Sequence, residues 1–207
     1  MSKPRRLATL ALLLAAPVAA QEDPGLVLAY GDQELVSIAT GGKTLLSKAP
    51  AVASVITAED IKILGATDLD QVLETVPGLH VSRNGNQWLP LYSMRGVLSQ
   101  YNPEVLVMVN GIPITSGFVG DRGRMWGGFP LENVARIEVI RGPGSALYGA
   151  EAVSGVINII TKQSSDIPGT EYGIRTGSYQ THDAWVQHGG DWGGFEDRKS
   201  TRLNSSH

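Results

Sequence analysis

Apolar residues recur at helical spacing between residues 57 and 78, and a polar pair stands where each helix would begin. Thr57 with Asp60, and Thr67 with Asp70, have the spacing of a capping box, in which two side chains cover the first free N–H groups of a helix. They predict one helix that ends at Gly65 and a second that runs through Leu73 and stops at Pro77-Gly78. The second helix has one apolar face, formed by Leu69, Val72, Leu73 and Val76.

Short apolar runs bounded by turn residues predict β-strands farther along the chain. The segment VLVMVNGIPI (105–114) places Asn110-Gly111 between two such runs. Because Asn-Gly tolerates the positive φ angles of a type I′ turn, we expect a hairpin here. Strands are also expected over 135–141 and 156–162, with a short helical turn at 131–134, whereas 82–103 and 115–130 carry few regular signals.

A glycine-rich stretch, GPGSALYGAEAVSG (142–155), separates the last two strands, where a phosphate-binding loop would lie. A Walker-type loop needs a lysine and a hydroxyl after its last glycine, but Ala150 and Glu151 stand there. The dinucleotide fingerprint fails too, because Leu147 occupies a position that close packing reserves for glycine or alanine. We interpret the stretch as a tight structural turn, with the turn residues Gly142, Pro143, Gly144, Tyr148, Gly149 and Gly155.

The first twenty residues have the order of a secretory signal peptide. Lys3, Arg5 and Arg6 precede an apolar run at 7–16, and small residues follow at 18–20. The apolar run is shorter than the roughly 20 residues that a membrane-spanning helix needs. We therefore expect an exported protein that is processed after Ala20.

Composition argues against several classes of function. The formal net charge is -3 and there is no cysteine, so we expect neither a nucleic-acid-binding surface nor a thiolate metal site. The four histidines lack the spacing of metal ligands, and the chain has no nucleophile elbow. We expect no enzyme activity, no catalytic residue, no metal and no cofactor, and His80 is interpreted as a strand residue.

Five segments, in this order, resemble the plug domain of TonB-dependent outer-membrane receptors. They are TAEDI (57–61), LETVPGLHV (73–81), SMRG (93–96), VLVMVNGIPI (105–114) and ENVARIEVIRGPGSALYGAEAVSGVINIITK (132–162). The resemblance covers 49–163 and implies an α+β plug, a small mixed sheet with short helices, seated in a barrel of the 22-stranded type. It also implies energy-coupled import of a scarce nutrient, for which a ferric siderophore is the first expectation and haem or cobalamin are alternatives.

The resemblance further implies a TonB box between the mature N-terminus and the plug, within 21–48. The β-prone residues in that place are Glu34, Leu35, Val36, Ser37, Ile38, Ala39 and Thr40. They would pair as an added strand with the periplasmic domain of TonB. An ordinary linker segment is the alternative.

Two arginines match family positions that face glutamates of the barrel wall. They are Arg95 in SMRG and Arg141 in IRGPG. An arginine enclosed in a barrel needs carboxylate partners to offset its desolvation, so the resemblance implies plug–barrel contacts at both residues. Solvated surface arginines are the alternative.

The two irregular stretches match the outward-facing apical loops of the plug, which in the family help to form the ligand site. The candidate ligand-facing residues are Trp88, Tyr92, Tyr101, Arg122, Arg124 and Trp126. Aromatic faces and guanidinium charges suit an anionic iron chelate. A purely structural role is the alternative.

Beyond residue 163 the chain is too short for a barrel, since 22 strands of about 9–11 residues exceed roughly 200 residues. The partly alternating EYGIRTG and THDAWVQHG predict a first barrel hairpin over 164–196. The segment 197–207, which includes RKSTRLNSSH, shows no alternation and is interpreted as a non-native tail. We thus expect an N-terminal fragment of an outer-membrane receptor, and a stand-alone periplasmic binding or signalling module is the alternative.

Overall fold

The computed structural model describes residues 35–36, 44–45, 52–83, 85, 89–114, 129–144, 148–167, 169–178, 180–192 and 195–205. The strands in these ranges are β1 (Leu35–Val36), β2 (Thr44–Leu45), β3 (Val52–Thr57), β4 (Leu79–Arg83), β5 (Pro90–Met94), β6 (Val105–Val109), β7 (Ile112–Pro113), β8 (Val134–Arg141), β9 (Gly155–Thr161), β10 (Gly169–Thr176), β11 (His182–Trp192) and β12 (Phe195–Ser205). The α-helices are α1 (Ala58–Leu64) and α2 (Leu69–Leu73), and the 3-10 turns are Leu131–Asn133, Gly149–Ala152 and Ser164–Asp166.

A five-stranded mixed sheet lies at the centre of the plug region, in the order β3-β8-β9-β6-β7. Within it β6 and β9 run parallel, and the other neighbouring strands are antiparallel. The run VLVMV of β6 is apolar at every position because both faces of this strand are covered. The α+β fold expected from the sequence, a small mixed sheet with short helices, is confirmed.

The main apolar core lies between one face of this sheet and the two helices. Val107, Ile137 and Ile159 project from the sheet, and Leu69 and Val72 project from α2. A smaller cluster on the opposite face packs under the 142–155 segment and comprises Leu106, Met108, Ile140, Ala152 and Val156. The predicted apolar face of the second helix is confirmed, since all four of its members are buried.

The first helix is capped as the sequence predicts. The Asp60 backbone N–H donates to Thr57 Oγ1 over 3.2 Å, and the Thr57 backbone N–H donates to Asp60 Oδ2 over 2.8 Å. The pKa of Asp60 is lowered most by the Thr57 hydroxyl, which donates to Asp60 Oδ2 over 2.7 Å, and next by the Thr57 backbone N–H. The helix ends at Gly65, whose φ of 64° closes the last turn.

The second helix begins one residue later than predicted. Asp68 is its N-cap, because Asp68 Oδ1 accepts the Gln71 backbone N–H over 3.0 Å. Thr67 instead donates its own backbone N–H to Gln71 Oε1 over 2.9 Å. The prediction that Thr67 and Asp70 form a capping box is therefore wrong, since the Asp68 carboxylate competes better than the Thr67 hydroxyl for the free N–H groups.

The strand β5 lies in a stretch that the sequence predicted to be irregular. It pairs antiparallel with β4, and its residues alternate between buried and half-buried. Pro90 is tolerated because it stands at the first position of the strand. The missed signal is the alternation of Pro90, Tyr92 and Met94, which all point into the core.

The predicted hairpin at 105–114 is confirmed. Asn110 and Gly111 have φ angles of 51° and 77°, as a type I′ turn requires. The Gly111 backbone N–H donates to Asn158 Oδ1 over 3.0 Å, so the turn is tied to β9 as well as to its own strands.

Beyond the plug region, β10, β11 and β12 form a separate antiparallel sheet. The first two strands pair as an antiparallel hairpin, and that this is the first hairpin of a barrel stays a prediction. The third includes 197–205, and it pairs with β11 through backbone groups, which do not depend on side-chain alternation. That 197–207 is a non-native tail stays a prediction. In the described residues no helix is long and apolar enough to cross a membrane.

Candidate functional site

The turn between α2 and β4 carries the first candidate site, and Glu74 braces it. Glu74 Oε1 lies 2.6 Å from His80 Nδ1, and Glu74 Oε2 accepts the Val81 backbone N–H over 2.6 Å. The Val81 N–H, and then the His80 ring, lower the pKa of Glu74. The intervening Pro77-Gly78 turn is thereby held against the start of β4, the strand in which His80 lies.

Arg141 reaches this turn from the end of β8. Its Nη1 donates to the Pro77 carbonyl over 2.6 Å, and its Nη2 donates to Ser54 Oγ over 3.1 Å. Its Nε is buried with no hydrogen-bond partner in the described part of the chain. The side chain is therefore fixed within the plug, while one of its donors remains unsatisfied.

Arg95 reaches the same turn from the end of β5. Its backbone N–H donates to the Gly78 carbonyl over 2.9 Å, and its φ of 53° turns the chain sharply before Gly96. Its Nη1 lies 3.7 Å from the point that a Cβ on Gly142 would occupy. The structure thus brings the two predicted arginines together at consecutive residues of one turn.

This arginine pair has no carboxylate partner in the described ranges. None of the ion pairs found there includes Arg95 or Arg141. A partly buried guanidinium such as that of Arg141 is costly without an opposite charge. A carboxylate supplied from outside the described plug would offset this cost.

In the glycine-rich stretch, the backbone donors serve the chain itself. The Gly142 N–H donates to the Ser154 carbonyl over 3.0 Å, and the Gly144 N–H donates to the Ala152 carbonyl over 2.9 Å. Gly142 and Gly149 have φ angles of 143° and 75°, which favour glycine. Pro143 and Tyr148 lie in the same turn region, and 145–147 fall outside the described residues. The prediction that Gly155 is a turn residue is wrong, because it is the first residue of β9 and pairs with Arg141. The N–H groups of Gly142 and Gly144 are therefore not available to a phosphate.

Of the six candidate ligand-facing residues, two lie in the described ranges. Tyr101 is half exposed on the loop after β5. Tyr92 is only 2% exposed, because it lies in β5 and donates its hydroxyl to Asp70 Oδ1 over 3.2 Å. The prediction that Tyr92 faces outward is corrected accordingly. Trp88, Arg122, Arg124 and Trp126 lie outside the described residues.

The predicted TonB box is described only at Leu35 and Val36. These two residues form β1, which pairs antiparallel with β2. The remaining members of the predicted box, Glu34 and 37–40, lie outside the described residues. Among the described residues of the predicted box, the pairing of β1 with β2 is the one assigned.

The sheet of β10 and β11 has two chemically different faces. Tyr172 and Ile174 on the outward face are 81% and 80% exposed. Arg175, Asp183 and Gln187 lie on the other face, toward the plug. Sequence reasoning missed these polar residues as site candidates, although each occupies an inward position of an alternating segment.

Glu132 connects the plug to this inward face. Its Oε1 lies 3.2 Å from Arg175 Nη2, and Arg175 Nη1 lies 3.4 Å from Asp183 Oδ2. Beside this contact is a cavity of about 630 Å³ between α1 and the hairpin, lined in part by Lys62, Lys162 and Trp185. The contact therefore crosses a seam that is otherwise open at this point.

No metal site or paired catalytic groups are found in the described residues. None of the histidine, aspartate and glutamate side chains there form a cluster suited to a metal ion. His188 Nδ1 is instead 2.8 Å from Thr170 Oγ1 across the hairpin.

Comparison with known families identifies the sheet and helices just described. Residues 46–156 match the model of the TonB-dependent Receptor Plug Domain. The ferric enterobactin receptor of Pseudomonas aeruginosa is 38% identical over 165 residues, which are 74% of this chain and 21% of that receptor. The chain therefore spans about a fifth of the length of this curated relative.

Solved structures share the same fold. The ferric yersiniabactin uptake receptor of Yersinia pestis superposes with a TM-score of 0.57 at 26% identity, over 74% of this chain and 24% of that one. The pyoverdine outer membrane receptor of Pseudomonas aeruginosa gives 0.70 at 22% identity, over 84% of this chain and 25% of that one. The second likeness, at this identity, shows the fold alone.

Proposed function

Because this chain belongs to the TonB-dependent receptor plug domain family, we propose that it is the plug portion of an outer-membrane receptor that imports a ferric siderophore. The similar receptors whose names state a ligand support this substrate class, since they take ferric enterobactin and ferric yersiniabactin. Haem and cobalamin are the alternative ligands. Energy would come from TonB, and the protein would reach the outer membrane after cleavage of 1–20.

The observation that carries this proposal over a stand-alone module is the hairpin of β10 and β11. Its outward face exposes large apolar side chains, Tyr172 and Ile174, and its inward face is polar. Apolar-out and polar-in alternation is the pattern of strands in an outer-membrane barrel. A periplasmic module would have no reason to place such side chains in water. We accordingly assign 49–163 to the plug and 164–196 to the first barrel hairpin.

The arginine pair at the Pro77-Gly78 turn supports a plug enclosed by a barrel. Arg95 and Arg141 have no carboxylate partner in the described plug, and Arg141 Nε is buried without any partner. Glutamates on the missing barrel wall would supply the charge and the hydrogen-bond acceptor. We therefore assign both residues to plug–barrel contact.

The ligand would bind at the outward-facing loops. Tyr101 is exposed there, and we propose that Trp88, Arg122, Arg124 and Trp126 join it. Tyr92 is excluded by its burial. Aromatic rings and guanidinium groups suit a chelate that is bulky and negatively charged.

Strand addition to TonB tests the proposed energy coupling. In the whole receptor, deletion of 34–40 should abolish energy-dependent uptake of a ferric catecholate and leave its surface binding intact. Val36→Pro should act similarly, because proline removes a backbone donor from the added strand. Cell-associated radioactive iron, measured with and without an energy poison, separates uptake from binding.

The matched control is Val36→Thr, which keeps the backbone donor and a β-branched side chain. It should retain uptake. Uptake that survives both the deletion and Val36→Pro would show that the TonB box lies elsewhere.

A further inference from the structure

We infer that Glu132, Arg175 and Asp183 form an ionic latch that fastens the plug to the first barrel hairpin and must open before the plug can move. This inference rests on the proposed function, because it takes β10 and β11 as barrel strands. The latch has the opposite polarity to the contacts proposed for Arg95 and Arg141, since here the plug supplies the carboxylate. It is therefore independent of those two arginines.

Three different elements position the latch residues. Glu132 lies in the 3-10 turn Leu131–Asn133, directly before β8. Arg175 and Asp183 are a directly opposed cross-strand pair in β10 and β11. The guanidinium of Arg175 lies between the two carboxylates, at 3.2 Å from Glu132 Oε1 and 3.4 Å from Asp183 Oδ2. One cation thus serves one anion of the plug and one of the hairpin.

Burial makes the Glu132 carboxylate depend on this cation. The Glu132 side chain is 10% exposed and the Asp183 side chain is 3% exposed, while Arg175 is 38% exposed. Glu132 Oε2 is buried without a hydrogen-bond partner in the described residues. Removing Arg175 would leave the Glu132 carboxylate buried without this cation, which is costlier than having no charge there, whereas Asp183 would keep Arg202.

Asp183 has a second cationic partner, Arg202, whose Nη1 also donates to the Phe129 carbonyl of the plug over 3.5 Å. Arg202 Nη2 lies 2.7 Å from Asp183 Oδ2. Arg202 belongs to 197–207, the segment predicted to be non-native, and it contacts the hairpin side of the latch. The ion pair that joins plug and hairpin is the one between Glu132 and Arg175.

A cavity beside the latch limits the other contacts between α1 and the hairpin. The cavity of about 630 Å³ separates α1 from the hairpin, so direct apolar packing is interrupted along this part of the seam. Elsewhere, the Gly189 backbone packs against the Ser164 and Ile167 carbonyls, close to where the plug continues into β10. That contact is near the covalent connection, and Asn133, Lys162 and Phe129 form further hydrogen bonds to β12.

Hydrogen exchange on the whole purified receptor, without ligand, tests the latch. In Arg175→Met, a change confined to the barrel, exchange at 129–134 of the plug should become roughly tenfold faster, within the range of coupled neighbours. In Glu132→Gln, exchange at 170–176 of the hairpin should rise as well. A residue that only stabilised its own element would not change exchange in the other one.

The double variant Glu132→Gln with Arg175→Met decides the outcome, because it removes the Glu132 carboxylate that Arg175→Met leaves buried without its cation. It should exchange more slowly at 129–134 than Arg175→Met alone. Lys62→Met, on the same cavity but without an ion pair in the described residues, should match the unchanged receptor. Effects that simply multiply in the double variant, or single variants equal to Lys62→Met, would overturn the latch.

Uptake assays on the same variants keep this inference separate from the proposed function. A receptor that imports no iron chelate but shows the expected exchange pattern would refute the import and leave the latch standing. A receptor that imports the chelate but shows multiplying effects would refute the latch alone.

Discussion

At the first position of β9, Gly155 has no room for a side chain. A Cβ there would overlap Met94 Sδ and would lie 2.6 Å from the Ile140 carbonyl oxygen. The methionine side chain can move, but the backbone of β8 cannot do so without breaking the sheet. The sequence identified Gly155 as a turn residue, whereas in the structure it allows two strands and a core side chain to approach closely.

We predict that Gly155→Ala lowers the free energy of unfolding by about 2–3 kcal/mol, as overpacking in a closed core does. Gly85→Ala is the matched control, since nothing lies within 4 Å of a Cβ at that position. The control should change stability by less than about 0.5 kcal/mol. Urea unfolding of both variants measures the difference, and equal stabilities would contradict the packing argument.

At the same scale, sequence motifs identified Arg141 and Arg95 as candidate site residues, whereas the prediction that Tyr92 faces outward was wrong. The arginines stand in motifs, SMRG and IRGPG, that mark their positions without any tertiary information. Whether Tyr92 faces outward depends on the register of β5 against β4, which the local sequence does not fix. Glu132 and Arg175 were missed for a related reason, because their contact joins residues from separate elements.

The N-termini of the helices are the features that local sequence predicts best here, because each capping hydrogen bond joins residues only three positions apart. The Thr57 and Asp60 pair caps α1 as expected. At α2, two adjacent polar residues compete, and Asp68 rather than Thr67 accepts the free N–H. The sequence therefore predicts both helices but not which side chain caps the second one.

This difference gives a direct comparison of caps. Thr57→Ala and Asp68→Ala should each lower the free energy of unfolding by about 1 kcal/mol, the usual value of an N-cap. Thr67→Ala should cost less than about 0.5 kcal/mol, because Thr67 does not cap the helix. Urea unfolding of the three variants measures the order, and a larger loss for Thr67→Ala than for Asp68→Ala would restore the original assignment.

The capping box of α1 also predicts a pH dependence. Its hydrogen bonds lower the pKa of Asp60 in the folded chain, so folding favours the carboxylate. The resulting stability is fully present above the unfolded value of about 3.9 and is lost as the pH falls through the lower folded pKa. Asp60→Asn should remove this part of the loss on acidification. Unfolding measured between neutral pH and pH values below the folded pKa checks it, and an unchanged profile would contradict it.

For the whole molecule, the order of motifs along the chain was enough to predict the plug fold. The central sheet joins segments far apart in sequence, such as β3 with β8, yet the motifs that form it occur in a fixed order. The seam between plug and hairpin was not predictable, because it depends on how two separately patterned sheets meet. Ligand identity was not predictable either, since the candidate residues are spread over loops without regular patterning.

The central claim is that this chain is the plug of an energy-coupled receptor for ferric siderophores. The most direct measurement is the uptake of radioactive iron, supplied as a ferric catecholate, by iron-starved cells that carry the whole receptor, with and without TonB. We predict accumulation that rises with time in cells with TonB, and only a fixed amount of surface-bound iron in cells without it. Equal accumulation in both, or no binding in either, would contradict the account.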